Sequence, residues 1–172
     1  MKTFFLDELK VLKKFKRKLQ KELEVKITIE GNEVTIDGDA DDEFFAEKII
    51  IALNFGFPMD VALLIKKEEY LFEILNIKDY TSKKDLKTVR ARIIGRGGKT
   101  LKTLATLSEC FFELKDNNVG IIGSPENIEK AQNAIISIIQ GSRQANVYSY
   151  LEKHRTKQIL DLGLKDEIKT FK

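Results

Sequence analysis

What most constrains this chain is a repeat inside it. Residues 25–56 lie over residues 110–141 without a gap, at a constant offset of 85. Ile27 falls on Phe112, Ile29 on Leu114, Val34 on Val119 and Ile36 on Ile121. Gly38 then falls on Gly123, Ala46 on Ala131, Ile50 on Ile135, Leu53 on Ile138 and Gly56 on Gly141. Glycine, alanine and glycine held in register with apolar positions mark two copies of one supersecondary unit, and any fold for this chain must contain that unit twice.

Each copy reads as two short strands, a tight turn and a helix. In the second, Cys110 to Leu114 alternates as a half-buried strand, Asp116-Asn117-Asn118 is the turn and Val119 to Ile122 the next strand. Ser124-Pro125 suits an N-cap followed by the first helical position; Ile128, Ala131, Ala134, Ile135 and Ile138 form one apolar face, and Gly141 ends the helix. In the first copy Lys26 to Ile29 and Glu33 to Ile36 are the strands, Asp39 is the expected cap, Phe45 to Leu53 carries the apolar helix face, and Gly56 stops it. Upstream of the second copy, Tyr70 to Ile77 reads as a strand. Leu86, Val89 and Ile93 have helical spacing, Gly95 to Gly98 breaks the helix, and Leu101, Leu104 and Ala105 open another. Strand, helix, break, helix, strand, strand, helix predicts a three-stranded sheet covered by helices on one face, an α+β architecture. Val147, Tyr148 and Leu151 predict a further helix packed back on the second copy, and Thr156 to Lys172 reads as a frayed helix or a tail that orders on a partner.

A length of 172 residues allows one or two small cores. Apolar runs such as Ile49 to Leu53 fall far short of a membrane span, and Asp7 interrupts the N-terminus too early for a signal peptide, so the expectation is a cytoplasmic protein with no membrane partner. One cysteine, Cys110, and one histidine, His154, exclude an internal disulfide and any familiar soft-metal site; Cys110 reads as a buried strand residue and His154 as a surface helix residue. Neither metal nor cofactor is expected. The net charge of +3 says little, but its distribution says more. From Leu86 to Ser108 stand Lys87, Arg90, Arg92, Arg96, Lys99 and Lys102 with no acid. Lys10 to Lys21 holds seven cations and no acid, a run that reads as a solvated helix face, while acids crowd Asp37 to Glu47.

The chemistry is carried by Ile93 to Leu104. Two glycines bracketing two residues, between helices, let the backbone come within hydrogen-bonding distance of a phosphate that a Cβ would block. The second helix begins there, so its unpaired N–H groups and positive dipole end face the same place, and Arg96, Lys99 and Lys102 add full charges. Such a loop suits a nucleic-acid backbone, and an apolar groove beside it, drawn from Ile94, Leu101 and Phe112, suits unstacked bases. The candidate RNA-binding set is Arg90, Arg92, Ile94, Gly95, Arg96, Gly97, Gly98, Lys99, Thr100, Leu101, Lys102, Phe112 and Arg143.

Ile94-Gly95-Arg96-Gly97-Gly98, with Leu101 and Leu104 after it and a Gly-Ser-Pro-Glu helix start downstream, resembles the signature of the KH domain of eukaryotic type, whose element order matches the one above. Two tandem modules joined through Gly56 to Leu63, the first without its glycines and the second followed by Gly141 to Arg155, resemble the archaeal and eukaryotic ribosome-assembly factors that partner the nuclease maturing the 3′ end of small-subunit ribosomal RNA. That resemblance spans nearly all of residues 1–155. It implies single-stranded RNA as partner, namely precursor small-subunit rRNA near its 3′ end, with the nuclease and other assembly proteins as further partners and no DNA. The implied organisation is a degenerate KH-like module at 1–57, a connecting helix or linker at 58–68, a KH domain with its glycine loop at 69–142, and a C-terminal helix and tail at 143–172. In the repeat overlay Lys10 to Lys13 takes the place of Gly95 to Gly98, so the first module lacks a backbone cradle; either its lysines touch RNA diffusely or, the favoured reading, the module is a docking surface. Its N-terminal strand and first helix are expected to be compressed into Met1 to Lys13.

Gly98-Lys99-Thr100 also invites a P-loop, but that motif needs glycine five positions before Gly98, where Ile93 stands, and must follow a strand rather than a helix. No nucleophile, base and acid set assembles around one histidine, so no enzymatic activity is expected. Two rivals remain: a KH-fold scaffold for protein interaction whose basic loop is a solvated relic, and a general regulator that binds single-stranded messages.

Overall fold

A computed structural model describes residues 1–155. Thr156 to Lys172, read above as a frayed helix or tail, lies outside the described residues. The chain runs β1 (Lys2–Phe5), α1 (Lys10–Leu23), β2 (Lys26–Glu30), β3 (Glu33–Asp37), α2 (Ala40–Phe55) and a short α3 (Met59–Ala62). It continues through β4 (Leu71–Asn76), α4 (Leu86–Ile94), a 3-10 turn at Arg96–Gly98, α5 (Lys99–Ser108), β5 (Phe111–Lys115), β6 (Asn118–Gly123), α6 (Pro125–Ile139) and α7 (Gln144–His154). Two antiparallel three-stranded sheets result, ordered β1-β3-β2 and β4-β6-β5.

The offset of 85 survives in three dimensions: β2 and β3 map onto β5 and β6 residue for residue at their starts, and α1 and α5 both end on a left-handed glutamate, Glu24 and Glu109, each at φ 55°. The central strands also pair alike. Lys2 faces Ile36 in the first sheet and Glu73 faces Ile121 in the second, so the leading strands are related by an offset of 71 rather than 85. The missing 14 residues are those that form α4 and its approach in the second unit. The expected compressed first helix is therefore absent: β1 occupies Lys2–Phe5, Leu6 to Leu9 is a connector, and a single helix runs unbroken from Lys10 to Leu23 where the second unit has a helix, a break and a helix. Every residue of Lys10 to Lys13 has a Cβ, and no local glycine ends the helix there.

Strand alternation builds both cores. Ile27, Val34 and Ile36 turn inward onto Leu12, Leu19 and Leu23 of α1 and Ala46, Ile49, Ile50 and Leu53 of α2. Phe112, Val119 and Ile121 do the same against Val89, Ile93, Leu104 and the α6 face. Ser124 caps α6 by accepting the Asn127 amide at 3.3 Å, with Pro125 in the first turn. Asp39 occupies the N-cap of α2 without a side-chain cap bond, and the carboxylate of Glu43 accepts the Gly38 amide instead at 3.1 Å. Val147 and Leu151 bury α7 against the second core, as their spacing predicts.

The outer faces of the two sheets differ, and that difference joins the units. The first presents Thr3, Phe5, Thr28 and Thr35 to solvent, whereas Phe72 and Ile122 of the second are buried within the apolar cluster of the first unit. Phe57 lies between Phe55 and Phe72, with ring centroids 6.1 and 5.8 Å away. A Cβ on Gly120 would meet Phe57 Cε2 at 2.8 Å and Phe55 Cε1 at 2.9 Å, so the absence of a side chain there is what lets the aromatic pair lie on the sheet. Lys115 Nζ completes the seam, donating to the Asn54 carbonyl at 2.9 Å and standing 3.6 Å from Glu8 Oε2.

Cys110 is 3 % exposed and precedes β5 with its sulfur toward Gly123. Burial pushes its thiol up to about 11. Because the thiolate is the reactive form, alkylation of Cys110 in the folded protein at pH 8 should be slower by at least about a hundredfold than in denaturant. Equal rates measured by mass spectrometry would contradict the burial of this thiol.

Candidate nucleic-acid interface

Helix α4 is set at its start by Asp85, whose carboxylate accepts both the Thr88 hydroxyl, at 2.5 Å, and the Thr88 amide, at 3.2 Å; these bonds hold the Asp85 carboxyl below its usual range. Val89 and Ile93 anchor it to the core, and it closes where the Gly95 amide donates to the Ala91 carbonyl at 2.8 Å. The chain then takes three positive φ angles within four residues: Gly95 at 74°, Gly97 at 58° and Gly98 at 74°. Helix α5 starts at Lys99 with no side-chain cap and no acid in its first turn. Its first amides therefore open toward the loop with nothing negative to satisfy them.

The glycines are needed for different reasons. A Cβ at Gly97 or Gly98 would meet nothing within 4 Å, so these two form the exposed approach. A Cβ at Gly95 would overlap Thr100 Oγ1 and lie 2.7 Å from Thr100 Cβ. Thr100 in turn is only 4 % exposed, and its hydroxyl accepts Gln144 Nε2 at 2.9 Å, while the same amide donates to the Arg92 carbonyl at 3.2 Å. Helix α7 is thus tied to the base of the loop. Replacing Gly95 by alanine should cost more than about 2 kcal/mol, since it adds overlap to a strained φ, whereas Gly97→Ala should cost about 1 kcal/mol. Thermal unfolding of the two variants checks that order.

A cleft opens on either side of the loop. One, of about 300 Å³, is lined by Lys87, Arg90, Ala91, Ile94, Leu114 and Asp116. Ile94 is 39 % exposed there, and Arg90 is oriented by donating to the Asp116 carbonyl at 2.9 Å. The other, of about 610 Å³, lies between Arg92, Arg96, Lys99 and Thr103 on one wall and Gln144 and Tyr148 of α7 on the other. Arg92 is held there by donating to the Ser142 carbonyl at 2.9 Å.

The structure brings together most of the residues singled out in the sequence. Arg90 and Ile94 line the first cleft, Arg92, Gly95, Arg96, Lys99 and Thr100 the second, and Gly97 and Gly98 stand in the turn that leads into α5. Lys102 is exposed one turn along α5; Leu101 is half-buried against the core; Arg143 is exposed at the start of α7 and lines neither cleft. One expectation needs correction. Phe112 is 9 % exposed and faces the helices as core, so no base can stack on it, and the groove wall is built by Leu114, two residues along the same face. Thr100, though only 4 % exposed, lines the second cleft, and its hydroxyl is held by Gln144. Ala91, Leu114, Asp116 and Gln144 join the clefts without a motif to mark them, although Ala91 stands one helical turn before Ile94 and Leu114 shares strand parity with Phe112.

A helix, a glycine break with left-handed residues, a second helix and an antiparallel strand pair with its covering helix on one three-stranded sheet define a KH-domain protein. A family model described as the eukaryotic type KH domain, type I, of the second-domain PNO1 group matches residues 71–156. The chain belongs to that PNO1-type KH family.

Among its relatives, a KH domain-containing protein of Methanocaldococcus jannaschii is 30% identical over 149 residues, covering 83% of this chain and 66% of the relative. The RNA-binding protein PNO1 of Oryzias latipes is 36% identical over 106 residues, covering 60% of this chain and 44% of the relative. The chain thus spans under two thirds of the length of these curated relatives. In three dimensions it is similar to Dim2p of Pyrococcus horikoshii, with a TM-score of 0.80 and 31% identity over 89% of this chain and 99% of that one. It is also similar to a chain in the complex of a/eIF2alpha, aDim2p and rRNA from the same organism, with a TM-score of 0.81 and 31% identity over 90% of this chain and 93% of that one.

Proposed function

We propose that this protein binds single-stranded RNA through the loop at Gly95 to Gly98 and its flanking clefts, and that the RNA is a small-subunit rRNA precursor near its 3′ end. The observation that carries the reading is the loop itself: open approach at Gly97 and Gly98, uncapped amides of α5, and Arg96, Lys99 and Lys102 beside them with no acid. Support for the rRNA comes from relatives named RNA-binding protein PNO1 and, in Emericella nidulans, pre-rRNA-processing protein, and from a similar chain solved in complex with rRNA.

In this reading the KH domain occupies 69–142, residues 58–68 connect it to a degenerate module at 1–57, and the segment from 143 supplies the wall of the second cleft. Arg90, Ile94, Arg96, Gly97, Gly98, Lys99 and Lys102 touch the RNA, while Gly95 and Thr100 shape the loop. The role is non-catalytic and cytoplasmic, and the rRNA 3′-end nuclease and other assembly proteins are its protein partners. No helix among the described residues is long and apolar enough to cross a membrane.

Single-stranded RNA should bind at least about tenfold more tightly than a duplex of the same sequence, because the clefts take splayed bases. The logarithm of affinity should fall against the logarithm of salt by about 0.7 per phosphate engaged. A filter-binding titration across salt reads both. Equal affinity for the duplex, or a flat salt response, favours the protein-interaction scaffold instead.

A further inference from the structure

We propose that the outer face of α1 is a second RNA-backbone surface that receives the strand leaving the loop-side groove, extending the binding site from the KH domain onto the first unit. The inference rests on the RNA-binding reading above and adds a length and a direction to it. Lys10, Lys13, Lys14, Arg17, Lys18 and Lys21 recur at intervals of three and four residues, which places all six on one stripe of a helix, about 16 Å long from end to end. All six are exposed, and the opposite face buries Leu12, Leu19 and Leu23.

The stripe is uncompensated. None of the six forms an ion pair among the described residues. Two acids of the same unit are taken up by other cations: Glu43 holds the N-terminal ammonium at 2.5 Å, and Glu47 pairs with Lys2. A cationic face present only for solubility is normally interspersed with acids that relieve like-charge repulsion, so a stripe of one sign suits an extended polyanion. Its position says which one. Glu8, just before α1, stands 3.6 Å from Lys115, and Lys115 lies between Leu114 and Asp116, both of which line the groove that begins at Ile94. A strand gripped at Gly97 and Gly98 and running along Ile94 and Arg90 therefore leaves the groove at Asp116, beside the first turn of α1. Two carboxylates flank that crossing, Glu8 and Asp116, and Glu8 is neutralised by Lys115.

The experiment compares single-stranded RNAs of about 5 and about 15 nucleotides, the shorter just exceeding the four that a KH loop clamps. Binding of each is measured across salt for the unmodified protein and for the variant Lys10→Gln, Lys13→Gln, Lys14→Gln, Arg17→Gln. The unmodified protein should bind the longer RNA at least about tenfold more tightly and with a steeper salt slope. The variant should bind the short RNA unchanged, lose the gain with length, and show a slope on the long RNA flatter by about 2 to 3, from 0.7 for each lost phosphate contact. Its thermal midpoint should not fall, since it relieves repulsion. No gain with length in the unmodified protein overturns the inference while leaving loop binding intact; failure to bind either RNA overturns the RNA reading itself. Equal weakening on both RNAs, or displacement of the long RNA by polyglutamate as readily as by unlabelled RNA, also overturns it, the latter assigning the stripe to an acidic protein segment.

Discussion

Aspartate at both Arg96 and Gly97 is expected to lower affinity for single-stranded RNA at least about 100-fold while leaving the protein folded. Both positions are exposed, and a Cβ on Gly97 meets nothing within 4 Å. The backbone there, at φ 58° and ψ 26°, is left-handed, a region that aspartate enters more readily than most residues, so the cost to stability should stay near 1 kcal/mol. The cost to binding is larger because two carboxylates replace a guanidinium at the open N-terminus of α5, where the phosphate would sit, and the helix field then favours the protein's own anions over the ligand's. A control carrying Lys153→Asp and Lys26→Gln changes net charge by the same three units at exposed sites outside both clefts. It should weaken binding by less than about threefold. If the two variants weaken binding equally, bulk charge rather than the loop governs the interaction.

Phe57→Ala should produce the largest loss of stability, about 3 to 5 kcal/mol, or a fall of roughly 10 °C in thermal midpoint. Phe57 is 3 % exposed and fills the seam between the two units, stacked on Phe55 and edge-on to Phe72 above the space left by Gly120. Truncation leaves a void between the end of α2 and the second sheet, which cannot move to fill it while β4 and β6 stay paired. Because the seam is on the face of the second sheet opposite α4 and α5, RNA affinity below the lowered midpoint should hardly change. Calorimetry and a binding titration on the same variant separate the two effects; a midpoint within 2 °C or so of the unmodified protein would mean the units do not share this core.

Much of this architecture is legible in the sequence because the repeat is so regular. An ungapped offset of 85 located β2, β3 and α2 from β5, β6 and α6, and serine-proline and glycine punctuation gave the ends of α6. The same overlay misplaces the start of the first unit, because it aligns residues and not strands: only the pairing of Lys2 with Ile36 reveals that a whole helix is missing. Parity correctly puts Phe112 and Leu114 on one face of β5, but it cannot say where along that face the covering helices end. Phe112 lies under them and Leu114 beyond, so the groove wall stands two residues further along the strand than its apolar pattern suggests. The spacing places Thr100 beside the loop, but its burial cannot be read there, because it depends on α7 returning from 44 residues away to bond it through Gln144. The outer face of the second sheet is the remaining case: Phe72 and Ile122 fit an exposed strand pattern poorly, and only the first unit packed against them explains it.

Backbone amide NMR of the whole protein, titrated with a single-stranded RNA, tests most directly whether the glycine loop grips the RNA backbone. The amides of Gly97, Gly98 and Lys99 should show the largest shifts of any in the second unit, those of Ala91, Ile94 and Leu114 should follow, and the loop shifts should recede as salt is raised. RNA binding that leaves the resonances of Gly95 to Lys99 unmoved would contradict the proposal that this loop is a phosphate cradle.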